Sequence, residues 1–246
     1  PGEDFSAARY VEMASACVDE ILARGKLPIV AGGTGLYIDS LLSGRTFAAF
    51  SPDSPLRGEL EVELARLGGA AMLAQLAQVD PETAARLHPN DHKRIVRALE
   101  VFRSTGRTIS QHDRETRALP PRYDALTIGL TFRERADLWA RIDQRVDQMA
   151  RDGLEAEVRG LLSSGLPRTC TAMQAIGYKE FVAAVDGQIS WREAEELVKL
   201  RSRQYAKRQL TWFRRQTDAV WLYLEDGNLE QQAAEQTEAF LAENNA

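Results

Sequence analysis

The chain has 246 residues, 44% of them hydrophobic and 27% charged, as is ordinary for a globular protein of one or two domains. No run approaches the roughly 20 apolar residues of a membrane-spanning helix, and the first residues show no secretory signal. The net charge of −5 argues against nucleic-acid binding by the chain as a whole.

The first elements predict an α/β core. Ser6 can N-cap a helix whose apolar residues recur with a 3.6-residue period up to a stop at Gly25. Leu27–Ala31 is expected to form a short buried strand, which runs into the glycine turn Gly32–Gly35 and then a helix, Leu36–Leu42. Helix, strand, glycine turn and helix in this order are typical of a parallel sheet.

The two cysteines indicate a reducing environment. Cys17 falls on the apolar face of the first helix, where we expect a buried free thiol, and Cys170 lies in a Thr-rich turn. With no CxxC motif and no disulfide framework, a cytoplasmic location is expected.

The glycine turn is a candidate site. Glycines allow a ligand to approach the backbone closely, the N–H groups at a helix start favour an anion, and Thr34 adds a hydroxyl. A purely structural turn is an equally good interpretation. The chain contains no G-x-x-x-x-G-K-[ST] phosphate loop.

The middle of the chain is expected to be an all-helical insertion. After a loop punctuated by Ser51–Pro55, only helical patterns follow up to Arg117, and a buried strand returns at Ala125–Leu130. The helical patterns cover Leu56–Leu67, Ala70–Gln78, Pro81–Leu87 and Asp91–Ser104. The predicted domains are therefore 1–50 (core, first part), 51–118 (insertion) and 119–246 (core, second part).

The helix that follows Asp91 has a basic side. Ile95, Leu99 and Phe102 suit a core face. Lys93, Arg94, Arg97 and Arg103 form a surface that could meet phosphates. A solvated helical face is the alternative, and the spacing alone favours that alternative.

Helices dominate the rest of the sequence. Helical patterns cover Arg135–Arg151 and Leu154–Leu162, and a capping box at Ser190 starts a long helix that could reach about Gln216. A strand, Ala219–Leu224, and a polar helix, Leu229–Leu241, complete the chain. Between them, before the long helix, Gly177 and Tyr178 could approach and stack on a base, although a core tyrosine fits equally well.

The long helix carries the strongest physical signal. Seven basic residues and no acidic one lie between its residues 199 and 215: Lys199, Arg201, Arg203, Lys207, Arg208, Arg214 and Arg215. Trp212 and Phe213 are interleaved with these cations, a mixture used in single-stranded RNA recognition. Six acidic residues after position 224 cancel this charge in the total without removing the patch. RNA binding is favoured over a core-packed helix.

Together these segments resemble the tRNA dimethylallyltransferase family, also called the tRNA isopentenyltransferases. The matching stretches are Gly32–Tyr37, His88–Asp91, Lys93–Phe102, Ala175–Tyr178 and Lys207–Arg214, in the family's order. The resemblance implies a P-loop-type α/β parallel-sheet core with a helical insertion. It also implies transfer of a dimethylallyl group from dimethylallyl diphosphate, with Mg²⁺, to N6 of the adenosine adjacent to the tRNA anticodon.

The resemblance assigns roles to individual residues. It places Thr34 in the reaction channel as the catalytic-site residue, and Gly32, Gly33 and Arg145 with the donor diphosphate. The implied tRNA contacts are Arg57, Lys93, Arg94, Ile95, Val96, Arg97, Gln174, Ala175, Ile176, Gly177, Tyr178, Lys179, Lys207, Arg208, Gln209, Leu210, Thr211, Trp212, Phe213 and Arg214. A monomer that binds the tRNA anticodon arm and no membrane is expected.

The chain departs from the family at its start. The family's phosphate loop and its catalytic carboxylate are not found, so we expect the N-terminal part of the core and the Mg²⁺ ligands to lie in a missing segment and the chain to be inactive alone. Two alternatives stay open: an adenylate isopentenyltransferase that acts on a free nucleotide, and a noncatalytic RNA-binding module.

Overall fold

The computed structural model of the chain describes residues 1–45, 47 and 55–244. The first helices are α1 (Ala7–Ala23), α2 (Gly35–Leu42), α3 (Pro55–Leu67), α4 (Gly69–Val79), α5 (Pro81–Ala84), α6 (His92–Thr105) and α7 (Ile109–Ala118). Strand β1 (Ile128–Thr131) is followed by α8 (Arg135–Arg151), α9 (Leu154–Ser163), α10 (Tyr178–Val185), α11 (Trp191–Phe213), strand β2 (Val220–Tyr223) and α12 (Leu229–Asn244). The protein is thus mostly helical with a small parallel sheet.

The chain forms two compact units. One unit contains Pro1–Tyr10, Ile21–Ile38 and the chain from Ala125 onward, and the other contains Val11–Glu20 and Asp39–Asp124. The predicted domain boundaries stay a prediction. The turn signal at Ser51–Pro55 lies, up to residue 54, outside the described residues.

The sheet of the first unit joins two distant segments. β1 and β2 run parallel, with Ile128 opposite Val220 and Thr131 opposite Tyr223. The strands predicted at 125–130 and 219–224 are therefore confirmed. The expectation that the first of them is a buried strand was wrong, because Leu130 is 62% exposed. Successive residues of a strand face opposite sides of the sheet, and the side that carries Leu130 is open to solvent.

The strand predicted at Leu27–Ala31 is wrong. These residues adopt no regular secondary structure, and Ile29 is 84% exposed. A strand exists only where its backbone N–H and C=O groups find a ladder partner, and within the described residues β1 and β2 pair only with each other. An apolar run signals a preference for burial but not the presence of a neighbour.

Helix α1 confirms its predicted ends but not its predicted thiol. The Arg9 backbone N–H donates to Ser6 Oγ at 3.2 Å, and Gly25 ends the segment with φ of 64°. Cys17, expected to be buried, is exposed. The apolar face of α1 is wider than the surface that packs against the rest of the protein. Some apolar residues of this face therefore stay exposed to solvent, and Cys17 is one of them.

Four helices build the core of the first unit. α8, α9, α10 and α11 bury a cluster that includes Val146, Val158, Phe181 and Val198. The predicted capping box at the start of α11 is confirmed: Ser190 Oγ accepts from the Glu193 backbone N–H at 3.2 Å, and the Glu193 carboxylate accepts from the Ser190 backbone N–H at 2.7 Å.

All regular secondary structure among the described residues of the second unit is helical, as predicted for the insertion. Helices α3, α4 and α6 bury Leu60, Met72, Leu76 and Ile95 at 0% exposure. Asp80, 2% exposed, joins two helix starts, because its carboxylate accepts from the backbone N–H groups of Thr83 at 3.0 Å and Ser110 at 3.1 Å.

Candidate functional site

The glycine turn is built as the start of α2. The Thr34 carbonyl accepts hydrogen bonds from the backbone N–H groups of Tyr37 and Ile38 at 2.9 and 3.2 Å. The Tyr37 ring of α2 stacks on the Tyr10 ring of α1 with the ring centroids 4.7 Å apart, and this contact helps to fix the start of α2. The turn therefore presents the exposed Thr34 side chain from a fixed helix end.

One face of α11 lies directly on this turn. Tyr205, Gln209 and Trp212 are spaced i, i+4 and i+7, so they share a face of the helix. Gln209 Nε2 donates to the Gly33 carbonyl at 2.7 Å, and the Tyr205 hydroxyl lies 3.5 Å from Thr34 Oγ1. The Trp212 ring lies against Gly35.

This arrangement revises the predicted role of two residues. Gln209 and Trp212 were expected to face RNA, but in the structure their side chains contact the glycine turn. Trp212 is still 37% exposed, so part of its ring is accessible. Tyr205 was missed by the sequence analysis, although its spacing from Gln209 and Trp212 could have revealed the shared face.

The seven cations of α11 fall into two groups. Lys199 and Arg203 are held by α8: Lys199 Nζ lies 2.5 Å from Asp147 Oδ1, and Arg203 donates to both Asp143 oxygens at 2.8 and 2.6 Å. The hydrogen bond to Asp147, and then that to Glu196, raise the pKa of Lys199. These two cations therefore serve the packing of α8 against α11.

The other five cations of this stretch form what we call the cationic end of α11: Arg201, Lys207, Arg208, Arg214 and Arg215. All five are exposed. In the described part of the chain, Lys207, Arg214 and Arg215 form no ion pair, and Arg208 lies over the Tyr205 ring at 5.5 Å. Thr211 is exposed, while Leu210 and Phe213 are partly buried.

The stretch Gln174–Lys179 contributes a mixed surface. Gln174, Ala175, Ile176 and Lys179 are exposed. Gly177 is buried and adopts φ of 103°, a conformation that favours glycine.

Tyr178 resolves one open alternative. Its hydroxyl donates to Glu157 Oε1 at 2.6 Å, which raises the pKa of the tyrosine, and its ring packs on the core cluster. The structure therefore favours the core tyrosine with a satisfied hydroxyl over a residue that stacks on a base.

Two of the predicted tRNA contacts in the second unit, Arg57 and Arg97, meet at one carboxylate. Arg97 Nη1 lies 2.9 Å and Arg57 Nη1 3.7 Å from Oε2 of Glu100, which is 3% exposed. Lys93 and Arg94 are exposed.

Two members of the predicted set in this unit are core residues. Ile95 and Val96 are 0% and 2% exposed. Their side chains pack in the core and are not presented to a ligand, so they support the basic side of α6 rather than form it.

The predicted donor residues Gly32 and Arg145 are exposed, and Gly33 is partly buried. Arg145 forms no ion pair with any described residue. In residues 1–45, 47 and 55–244, no three His, Cys, Asp or Glu side chains come together as a metal ion requires. None of the described helices combines the length and hydropathy needed to span a bilayer.

Comparison with known proteins gives consistent matches. Residues 1–216 match the family model described as IPP transferase. The tRNA dimethylallyltransferase of Acetivibrio thermocellus is 41% identical over 242 residues, 98% of this chain and 77% of that protein. The protein of the same name from Geobacter sulfurreducens is 49% identical over 224 residues, 90% of this chain and 71% of that protein.

Solved structures agree. The full-length tRNA isopentenylpyrophosphate transferase of Bacillus halodurans superposes with a TM-score of 0.66 at 38% identity, covering 98% of this chain and 74% of that one. A eukaryotic dimethylallyltransferase acting on tRNA gives a TM-score of 0.78 at 26% identity, with 98% and 63% covered.

Proposed function

The chain belongs to the IPP transferase family, and from this premise we propose that it transfers a dimethylallyl group from dimethylallyl diphosphate to N6 of the adenosine adjacent to the anticodon in tRNA. The proposal includes a monomer that acts in the cytoplasm. Relatives named tRNA dimethylallyltransferase match nearly the whole chain at 41% to 49% identity.

The cationic end of α11 is the observation that carries the choice of tRNA as acceptor. Its five exposed guanidinium and ammonium groups belong to α11 and to the two residues that follow it, and Arg208, which lies over the Tyr205 ring, borders the face that contacts the glycine turn. The successive phosphates of an RNA strand can contact several of these cations at once, whereas the free nucleotide AMP has a single phosphate group. This favours tRNA over a mononucleotide acceptor.

The reaction defines what the residues must do. The anticodon adenine leaves its stack to be reached. Its N6 then forms a bond to the allylic carbon, the bond from that carbon to the diphosphate oxygen breaks with its electron pair, and the N6 proton passes to a general base or to water. Thr34, exposed at the start of α2, lines the path between donor and acceptor and can hydrogen-bond either one.

The donor side is only partly supplied by the described residues. Gly32 and Gly33 bring backbone close to the diphosphate, and Arg145 adds an exposed positive charge that stabilises the leaving group. Mg²⁺ belongs to the proposal as the companion of the diphosphate. Among the described residues, no three His, Cys, Asp or Glu side chains come together, so no protein ligand of the ion is proposed in that part of the chain.

The test is a comparison of acceptors with the full-length gene product. The protein is incubated with dimethylallyl diphosphate, Mg²⁺ and either tRNA or AMP, and prenylated adenosine is measured by mass spectrometry. Product from tRNA alone is expected. Product from AMP alone indicates an adenylate isopentenyltransferase, and tRNA binding without any product indicates a noncatalytic RNA-binding module.

A further inference from the structure

The contact between α11 and the glycine turn is closer than ordinary packing. A Cβ atom placed on Gly33 would overlap the Gln209 side-chain amide, and one placed on Gly35 would overlap the Trp212 ring. Neither glycine has a positive φ. The Trp212 ring therefore leaves no room for a Cβ atom at Gly35, whereas a Cβ atom at Gly33 would displace the Gln209 amide, which is the end of a flexible side chain.

The contact is also polar and directional. Gln209 Nε2 donates to the Gly33 carbonyl at 2.7 Å, and that carbonyl is the last one before Thr34. The Tyr205 hydroxyl, one helical turn earlier, lies 3.5 Å from Thr34 Oγ1. The peptide that precedes Thr34 is thus held by Gln209, and the Thr34 side chain is flanked by Tyr205.

Gln209 is not itself presented to solvent as the neighbouring cations are. It is partly buried, whereas Lys207, Arg208 and Thr211 beside it are exposed. Gln209 therefore holds the turn, while the exposed residues beside it carry the charge.

From this geometry we infer that Gln209 is a positioning residue for prenyl transfer. It fixes the Gly33–Thr34 peptide and so orients the Thr34 hydroxyl, without touching tRNA or the reacting atoms. The inference rests on the proposed function and assigns Gln209 to the turn rather than to the RNA surface. It makes α11 the element shared by tRNA docking and the geometry of the channel.

The test separates the rate of transfer from tRNA affinity. Gln209→Met keeps the length and neutrality of the side chain but removes the N–H donor. We expect the transfer rate at saturating substrates to fall on the order of 10- to 100-fold, as misplacement of a reacting group does. The tRNA dissociation constant should change by no more than about twofold, because no phosphate-binding cation is altered. Gln78→Met, at an exposed glutamine of α4, is the control and should change neither quantity.

A double-mutant cycle tests the contact without activity. Gly33→Ala should lower the melting temperature in the wild-type background but much less in the Gln209→Ala background, where the overlapping amide is gone. This cycle also gives a reading if Gln209→Met fails to fold. Additive effects of the two changes would overturn the contact.

The remaining outcomes are distinct. Weaker tRNA binding by Gln209→Met at an unchanged transfer rate would show that the residue contacts RNA, and an unchanged rate and affinity would show no role; both overturn the inference while the proposed function stands. A wild-type protein that prenylates no tRNA would refute the proposed function, and the positioning role with it, even if the cycle confirms the contact.

Discussion

The Glu100 carboxylate accepts a hydrogen bond from the Arg97 guanidinium at 2.9 Å, inside the helical unit and at 3% exposure. Arg57 approaches the same oxygen to 3.7 Å. Two arginines predicted to contact tRNA are thus anchored by one buried anion. A long cationic side chain that is held by an anion loses less freedom when it meets a phosphate.

Replacing this anchor should weaken both the fold and tRNA binding. For Glu100→Gln we expect a loss of about 1–3 kcal/mol in the free energy of unfolding, because Arg97 loses the carboxylate at 2.9 Å and Arg57 loses a carboxylate neighbour while it keeps Glu61. Urea denaturation measures this loss. Glu61→Gln is the control: Glu61 is 62% exposed and pairs with the same Arg57 at 3.5 Å, so its loss should be within about 0.5 kcal/mol. Equal effects of the two changes would contradict the anchoring role.

Asp80 should contribute an acid-sensitive part of the stability. Burial raises the pKa of this carboxyl, but the hydrogen bonds from Thr83 and Ser110 lower it more, so the folded pKa lies below the ordinary value of 3.8. A group whose pKa is lowered by folding stabilises the protein above its unfolded pKa and loses that contribution as the pH falls through the folded value.

The variant Asp80→Asn tests this pH dependence. Its amide can accept from only one of the two N–H groups, so about 1–2 kcal/mol should be lost at neutral pH. The difference in unfolding free energy between wild type and variant should shrink below pH 3.8. Urea titrations at several pH values measure it. A difference that stays constant down to the lowest pH would argue against a charged Asp80 as the cause.

The cationic end of α11 predicts a salt dependence. Replacing Lys207 and Arg208 with Ala should reduce the slope of log affinity for tRNA against log salt by about 1–2, if both side chains contact phosphates. Lys199→Gln is the matched control on the same helix, because Lys199 is 12% exposed and held by Asp147. That change should lower stability and leave the slope alone. An unchanged slope in the double variant would remove these two residues from the RNA surface.

Trp212 should now matter to the fold more than to RNA. Trp212→Ala opens space against Gly35 and is expected to cost about 1–3 kcal/mol of unfolding free energy, since the ring packs on the backbone at the start of α2. Trp139 on α8, at 40% exposure against 37% for Trp212, is the control of equal exposure, and Trp139→Ala should cost less. Thermal unfolding and tRNA titration together decide; a loss of affinity at full stability would return Trp212 to the RNA surface.

Local patterns were sufficient where local forces decide the structure. The helix predicted at Arg135–Arg151 has those bounds in the structure, and the cap at Ser190 forms as expected, because helix periodicity and capping depend on residues within one or two turns. Leu27–Ala31 failed because a strand depends on a partner elsewhere in the chain.

The site divides in the same way. The sequence composition shows that α11 is basic, and the helical period of its apolar residues predicts that the helix is long. The sequence does not show that Gln209 and Trp212 face a glycine turn some 170 residues earlier, since amphipathic spacing identifies a face but not its neighbour. The pairing of a glycine-rich turn with a glutamine–tryptophan face is a long-range contact that one sequence alone does not reveal.

The two ion pairs between α8 and α11 fix the register of these helices. Lys199 meets Asp147 and Arg203 meets Asp143, so the helices run in opposite directions with both pairs one turn apart. A slip of one turn, about 5.4 Å, would leave only one pair formed. The ten residues of α11 beyond Arg203 span about 15 Å and include Gln209 and Trp212, so the same slip would also move these two side chains away from the glycine turn.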